Sequence, residues 1–329
     1  MRYVLMTEPQ QGMSYTDQLA AARRAEANGF DAYFRSDHFA SFPGEAGKPT
    51  TDAWSVVAGL ARETQRIGLG VLVSPVTFRH PGVLAKVAVT VDEMSGGRVE
   101  VGVGAGWNEP EHNQLGLAFP PIKDRADLLE DQLAILHGLW GEPDGWTHTG
   151  LTGLRVGGSL FRPRPVESAG RPATPIGGMR PRIIVGGQGS ARSIRLAARY
   201  ADEFNLSSSS PARAAEVSDE LDEACRAIGR EPVSLARSTM AGVLVGRTAE
   251  EVREREDALL TAFGPDQAAD GEAWLEERRS RWVFGTPDEA RAQLHRYADA
   301  GMARIMLQDF LPWDLDMIDL MGEELIGRA

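Results

Sequence analysis

Arg35, Ser36, Asp37 and His38 follow directly on the apolar run Ala32-Tyr33-Phe34, so four hydrogen-bonding side chains stand where an extended segment stops. A strand that simply ended in solvent would more cheaply stop at Gly, Asn or Pro. Polar density at this point suggests the floor of a site. His38 carries the most chemistry, because an imidazole can give or take a proton near neutral pH. If the strand geometry persists through the polar residues, Asp37 and His38 point to opposite sides and need not pair.

Two glycine-rich stretches could hold a ligand. In Val101-Gly102-Val103-Gly104-Ala105-Gly106-Trp107-Asn108-Glu109 the spacing is G-x-G-x-G, which fails the dinucleotide fingerprint. Glycines in a strand and its exit loop let something approach the backbone, either another strand or a flat ligand. Trp107 and Asn108 add an aromatic face and an amide, which favours the ligand. The second stretch, Gly186-Gly187-Gln188-Gly189-Ser190, lies between an apolar run and a helix. Free N–H groups at a positive helix end suit an anion. Without a G-K-[ST] ending, a monophosphate or phosphodiester fits better than a triphosphate; a plain tight turn is the bland alternative. The histidines at 38, 80, 112, 137, 148 and 295 lack metal-ligand spacing, and no G-x-S-x-G elbow occurs, so neither a metal site nor a serine hydrolase is expected.

The elements that must position these residues alternate regularly. Apolar runs predict strands at 3–6, 32–36, 67–74, 99–104, 183–187, 203–207, 239–245 and 304–308. Amphipathic segments predict helices near 14–28, 52–63, 82–95, 122–140, 190–200, 211–228, 248–262, 288–300 and 313–327. Eight strands so interleaved argue for a (β/α)8 TIM barrel, an α/β fold of one domain over residues 1–329, because open doubly wound sheets usually stop nearer six. Active sites of such barrels form at the C-terminal strand ends. Here those ends are followed by Thr7-Glu8, Ser36-Asp37-His38, Ser74, Ala105 to Asn108, Gly187-Gln188, Ser207-Ser208 and Gln308-Asp309, polar residues on one rim.

Residues 141 to 182, after the fourth helix, break the rhythm as an insertion rich in Gly and Pro. Long insertions of this kind tend to be lids or binding loops. Arg162, Arg164, Arg171, Arg180 and Arg182 make it basic in an acidic chain, as a solvated surface loop or as a mouth for an anionic ligand.

Composition narrows the partners. A chain of 329 residues, 42% hydrophobic and 25% charged, has ample core, and its net charge of −12 disfavours nucleic acid held by a generally basic surface. The single cysteine, Cys225, has no disulfide partner and reads as packing in a reducing cytoplasm. The apolar run at the N-terminus is too short for a signal peptide, and no window approaches the roughly 18 apolar residues of a membrane span.

Taken together, Ser36-Asp37-His38-Phe39 and the stretches 69–81, 91–112 and 184–205 resemble the bacterial luciferase-like monooxygenase superfamily, and more narrowly its actinobacterial F420-dependent oxidoreductases. The resemblance spans nearly the whole chain. It implies a TIM-barrel enzyme, commonly a homodimer, in which the deazaflavin coenzyme F420 lies across the mouth and passes hydride to or from a small organic substrate. FMN with oxygen chemistry is the alternative cofactor reading, and a non-catalytic flavin-binding barrel a third. Asp37 and His38 would sit beside the ring, and a non-proline cis peptide at Val71-Leu72 behind it. Ala105, Gly106 and Asn108 would line the cofactor's edge, and Gly186, Gly187 and Gln188 its phosphate side. Ser74 and Ser207 complete the expected cofactor contacts. Where sugar-phosphate-oxidising members carry an acid, this chain has Trp107, which argues against that substrate and leaves the proton donor unassigned, with Glu109 a candidate replacement. His38, Trp107 and Glu109 are therefore the catalytic candidates. Members of this branch usually have a short hairpin where residues 141 to 182 run, and the arginines there would favour the polyanionic tail of F420.

Overall fold

The structure is a computed structural model, described here for residues 1–42, 45–167, 178–263 and 270–326. Its centre is a closed parallel barrel of β1 (Arg2–Thr7), β2 (Ala32–Arg35), β3 (Gly68–Pro75), β4 (Val99–Gly104), β7 (Arg182–Gly187), β8 (Glu203–Ser207), β9 (Ala236–Val245) and β11 (Arg304–Asp309). The ring closes where β11 pairs with β1 and β9 with β8. These are the eight strands the alternation predicts, with ends shifted by a few residues at most.

Each strand is buried on both faces, as parallel strands under a helical layer must be. Tyr3, Leu5, Tyr33, Leu69, Val101, Val185 and Ile305 face outward and pack under the helices. Val4, Met6, Phe34, Leu72, Ile184 and Met306 fill the barrel itself. At the end where the strands begin, the fully buried Arg304 donates to Glu100 at 2.6 and 2.9 Å and to Glu203 at 3.3 Å. This ion cluster plugs the lower end, so a ligand can enter only from the opposite, C-terminal rim.

The outer layer comprises α1 (Tyr15–Ala27), α2 (Ala53–Glu63), α3 (Pro81–Ser95), α5 (Ile122–Gly141), α6 (Ala191–Tyr200), α7 (Pro211–Ala227), α8 (Ala249–Phe263), α10 (Pro287–Asp299) and α11 (Leu315–Glu324). Their starts are stabilised locally: Asp52 takes the Ser55 N–H, and Thr286 and Glu289 close a capping box before α10.

Three features were not expected from the sequence. The first is a short helix, α4 (Glu109–Leu115), which closes at Gly116 with φ +67°. The second is α9 (Gly271–Arg279) with the three-residue strand β10 (Val283–Gly285), which pairs with the end of β9 outside the closed ring. The third is the position of the cis peptide, Leu72–Val73 and not Val71-Leu72. Val71 still holds regular register with Arg35 and Val101, so the irregularity begins only after it, between Val71 and Ser74.

The insertion carried two expectations, a solvated surface loop and a mouth for an anionic ligand. It connects the end of α5 to the start of β7, and a helix-to-strand connection in this fold returns to the closed end, away from the mouth. Within it, β5 (Trp146–Thr149) and β6 (Arg155–Ser159) form an antiparallel hairpin. The hairpin is tied to α5 by Asp131, which accepts from the Leu151 and Thr152 N–H groups at 2.7 and 2.9 Å. Four of the five arginines named above are held by acids. Arg162 and Arg164 pair with Asp144 at 2.7 and 3.0 Å. Arg180 is buried against Asp202 at 2.7 Å, and Arg182 lies 3.1 Å from Glu203, both beside the start of β8. Arg171 lies outside the described residues.

Candidate active site

Alternation along β2 separates the polar residues at its end. Arg35 turns outward to Gln18 and Thr51, Ser36 inward, Asp37 outward and His38 inward. Asp37 is buried beneath the rim, accepting from the Ser74 hydroxyl at 3.1 Å and from Arg79, which also pairs with Asp52. Ser74 in turn accepts from the Trp54 indole N–H at 2.8 Å. Asp37 and Ser74 thus hold the loop after β3 in place, with their polar atoms directed under the mouth. Val71 likewise packs outward, into the layer beneath the helices.

His38 stays at the mouth and gains a partner the sequence reading missed. Its Nδ1 lies 3.0 Å from Glu111 Oε1, while Glu111 Oε2 accepts the Phe39 backbone N–H at 2.9 Å. Helix α4 decides which acid this is, because residues two apart on a helix face roughly opposite ways. With Glu111 turned to His38, Glu109 turns to solvent, near Arg125, whose pKa burial lowers and the Glu109 carboxylate pushes back up. The pair could have been sought in Glu109-Pro110-Glu111-His112, where proline at an early helical position signals a helix start.

An aromatic wall rises beside the imidazole. Phe42 and Trp107 meet the His38 ring at 4.5 and 5.9 Å between centroids, and each other at 5.2 Å, all edge to face. Asn108 contributes its backbone: its carbonyl accepts from His112 Nδ1 at 2.7 Å, so His112 Nε2 accepts from the Thr77 hydroxyl at 2.6 Å. This buried histidine fastens the loop after β4 to the loop after β3. Gly106, at φ +78°, closes the same turn, and a Cβ there would sit 3.3 Å from Pro75 and Thr77.

The glycines of β4 and β7 answer to a strand. A Cβ on Gly102 would strike the Val71 carbonyl; one on Gly104 would lie 2.8 Å, and one on Gly186 2.6 Å, from the Val73 side chain. The bulged end of β3 therefore intrudes toward the barrel axis, and Val73 lies between two positions without side chains. Beyond Gly187 the chain turns at Gly189, φ +78°, into α6, where the Ser190 hydroxyl takes the Ser193 N–H. The amides of this first turn, with Gln188, stand at the same rim as His38. Ser207 ends β8 there, half-buried, its carbonyl accepting from the Ser209 hydroxyl at 3.2 Å.

Between these walls the floor is polar. Glu8 accepts from Gln10 at 2.7 Å and from Gln308 at 2.5 Å, and Gln10 accepts from the Ser36 hydroxyl at 2.7 Å. Of the residues expected at the site, His38, Leu72, Ala105, Gly106, Trp107, Asn108, Gly186, Gly187, Gln188 and Ser207 thus lie at the C-terminal end of the barrel strands. Asp37, Val71 and Ser74 lie behind it, and Glu109 outside it.

A closed (β/α)8 barrel with its polar residues gathered at the C-terminal rim defines the structural class. The luciferase-like monooxygenase family model matches residues 1–304, and the chain belongs to that family. An F420-dependent glucose-6-phosphate dehydrogenase from Nakamurella multipartita is 30% identical over 338 residues, covering 96% of this chain and 93% of that protein. Among solved structures, the monooxygenase RslO1 from Streptomyces bottropensis superposes with a TM-score of 0.80 at 21% identity, over 99% of this chain and 98% of that one. An F420-dependent secondary alcohol dehydrogenase in complex with an F420-acetone adduct does so with a TM-score of 0.79 at 20% identity, over 98% of both chains. At such identities the likeness to the two structures is one of fold.

Proposed function

We propose that the protein is an F420-dependent oxidoreductase that transfers hydride between the deazaflavin and a small organic substrate. The observation that carries this reading is the convergence of His38, the Trp107–Asn108 loop and the Gly186–Gly189 turn on one end of a barrel whose other end is plugged by ions. The residues present fit a flat, phosphorylated molecule. Gly104 and Gly186 make room for the bulged end of β3, which carries Val73 toward the barrel axis as an apolar support for a ring. The glycine turn into α6 offers backbone N–H groups and a positive helix end to a phosphodiester. In this reading Leu72 and Val73 support the ring, Ala105, Gly106 and Asn108 line its edge, and Gly186, Gly187, Gln188 and Ser207 hold the phosphate side. Asp37, Val71 and Ser74 act from behind.

When bound, the deazaflavin exchanges hydride with the substrate. Hydride exchange at a carbon bearing oxygen leaves one proton over, and His38 is placed to take it or return it. A carboxylate at Glu111 accepts at Nδ1, which places the hydrogen on that nitrogen and leaves Nε2 as the ring's bare position. Phe42 and Trp107 stand edge to face against the imidazole and wall one side of it. An indole at Trp107 also supplies no acid to exchange a proton with a phosphorylated sugar. Glu109, exposed at the outer edge of α4, is the weaker candidate for the proton.

The reading extends to a homodimer in a reducing cytoplasm, supported by the family resemblance and by the single thiol, Cys225, buried in the core. Titration of the apoprotein with F420 and with FMN, followed by tryptophan quenching, tests the cofactor. Saturable quenching by F420 at micromolar concentration without quenching by FMN is expected; the reverse pattern would replace this reading with an FMN monooxygenase.

A further inference from the structure

We infer that Glu111 is the positioning residue that fixes the His38 tautomer and thereby makes Nε2 the proton acceptor of the reaction. The catalytic consequence rests on the hydride-transfer reading above; the tautomer does not. The Glu111 side chain is 1% exposed and both of its oxygens are used, one on His38 Nδ1 at 3.0 Å and one on the Phe39 N–H at 2.9 Å. His38 Nε2 has no partner among the described residues. The second contact makes the arrangement specific, because the Phe39 N–H is part of the backbone and can only donate.

The carboxylate is the side chain that satisfies both partners with hydrogen on Nδ1. In Glu111→Gln the amide has one accepting oxygen and one donating NH2. Turning the NH2 toward Phe39 would set two donors against each other. The oxygen must therefore face Phe39, and the NH2 must face His38 Nδ1. Nδ1 then has to be bare, and the hydrogen moves to Nε2. The variant keeps the size of the side chain and the tether to Phe39 but turns the nitrogen at the mouth from acceptor to donor. A merely structural role for Glu111 predicts no such reversal.

The test is long-range ¹H–¹⁵N NMR of histidine-labelled protein, with His38 assigned by its loss in His38→Gln. Wild type is expected to show a protonated Nδ1 and bare Nε2, and Glu111→Gln the opposite. With F420 and the best substrate from a panel of alcohols and unsaturated carbonyls, Glu111→Gln should lower kcat about 100-fold or more, the scale of a lost general base. KM and the F420 dissociation constant should change less than about threefold. A bare Nδ1 in the wild-type protein would overturn the inference even if no variant folds, as would an unchanged tautomer or an unchanged kcat in Glu111→Gln. Failure of F420 to bind wild type would instead sink the functional reading while leaving the tautomer result standing.

Discussion

Val73 occupies space that a side chain at position 186 would need: a Cβ built on Gly186 lies 2.6 Å from Val73 Cγ1. Real Cβ atoms do not approach so closely, so Gly186→Ala must displace Val73 or the strand behind it. Overpacking of this kind destabilises by about 1–3 kcal/mol. The expected outcome is a lower urea midpoint for Gly186→Ala, largely restored in the Val73→Ala, Gly186→Ala double variant, because the two residues contend for one volume. Strictly additive effects would show that Gly186 is required for another reason.

Asp309 ends β11 with its carboxyl fully buried on the outward side of the barrel. One oxygen accepts the Leu311 N–H at 2.8 Å, and the other has no partner among the described residues. Burial pushes its pKa up from 3.8 to about 7, against the opposing pull of that N–H. A raised folded-state value means that the native protein binds this proton more tightly than the unfolded chain does. The stability from this group is full below about pH 4 and is lost as pH rises through 7. Asp309→Asn, neutral at every pH, should flatten the fall in Tm between about pH 5 and pH 8. Parallel pH profiles for the two proteins would show that Asp309 is ionised in the native state throughout.

The barrel was legible because both faces of every strand are buried, so stretches such as Ile183-Ile184-Val185 announce themselves by composition alone. The separation of Asp37 from His38 was legible too, as simple alternation. Less so was the partner of His38: choosing Glu111 over Glu109 requires the phase of α4, a seven-residue helix too short to display a period. Helix α9 stayed hidden for a related reason, since Glu276-Glu277-Arg278-Arg279 is polar nearly all round. The insertion carried two readings, a solvated surface loop and a mouth for an anion, and charge alone does not choose between them. Its arginines suggested an anionic ligand by charge, whereas their acids, Asp144, Asp202 and Glu203, are distant in sequence or on other elements, and only the folded chain shows them paired.

That pairing has a consequence for cofactor binding. Arg162 and Arg164 converge on Asp144 beside the hairpin, on the helix-to-strand side of the barrel. Replacing both with Ala should leave the F420 dissociation constant within about twofold and its salt dependence unaltered. Stability should change little as well, because exposed ion pairs contribute about 0–1 kcal/mol. A loss of affinity above about fivefold, confined to low salt, would return these arginines to the cofactor's anionic tail and require the hairpin to reach the mouth.

Trp107 is 67% exposed, although its ring meets both His38 and Phe42 edge to face. A large apolar face left open at the rim of a site is more simply explained by a ligand that covers it than by packing within the chain. If the substrate covers it, Trp107→Ala removes aromatic contact in both the ground and transition states. KM should then rise about tenfold or more, with kcat nearly unchanged, because uniform binding is what is lost. The F420 dissociation constant should stay within about threefold. A loss of F420 affinity with KM intact would move Trp107 from the substrate to the cofactor, whereas a fall in kcat alone would mean that the indole orients His38, which thermal melts and the His38 NMR signature together would distinguish.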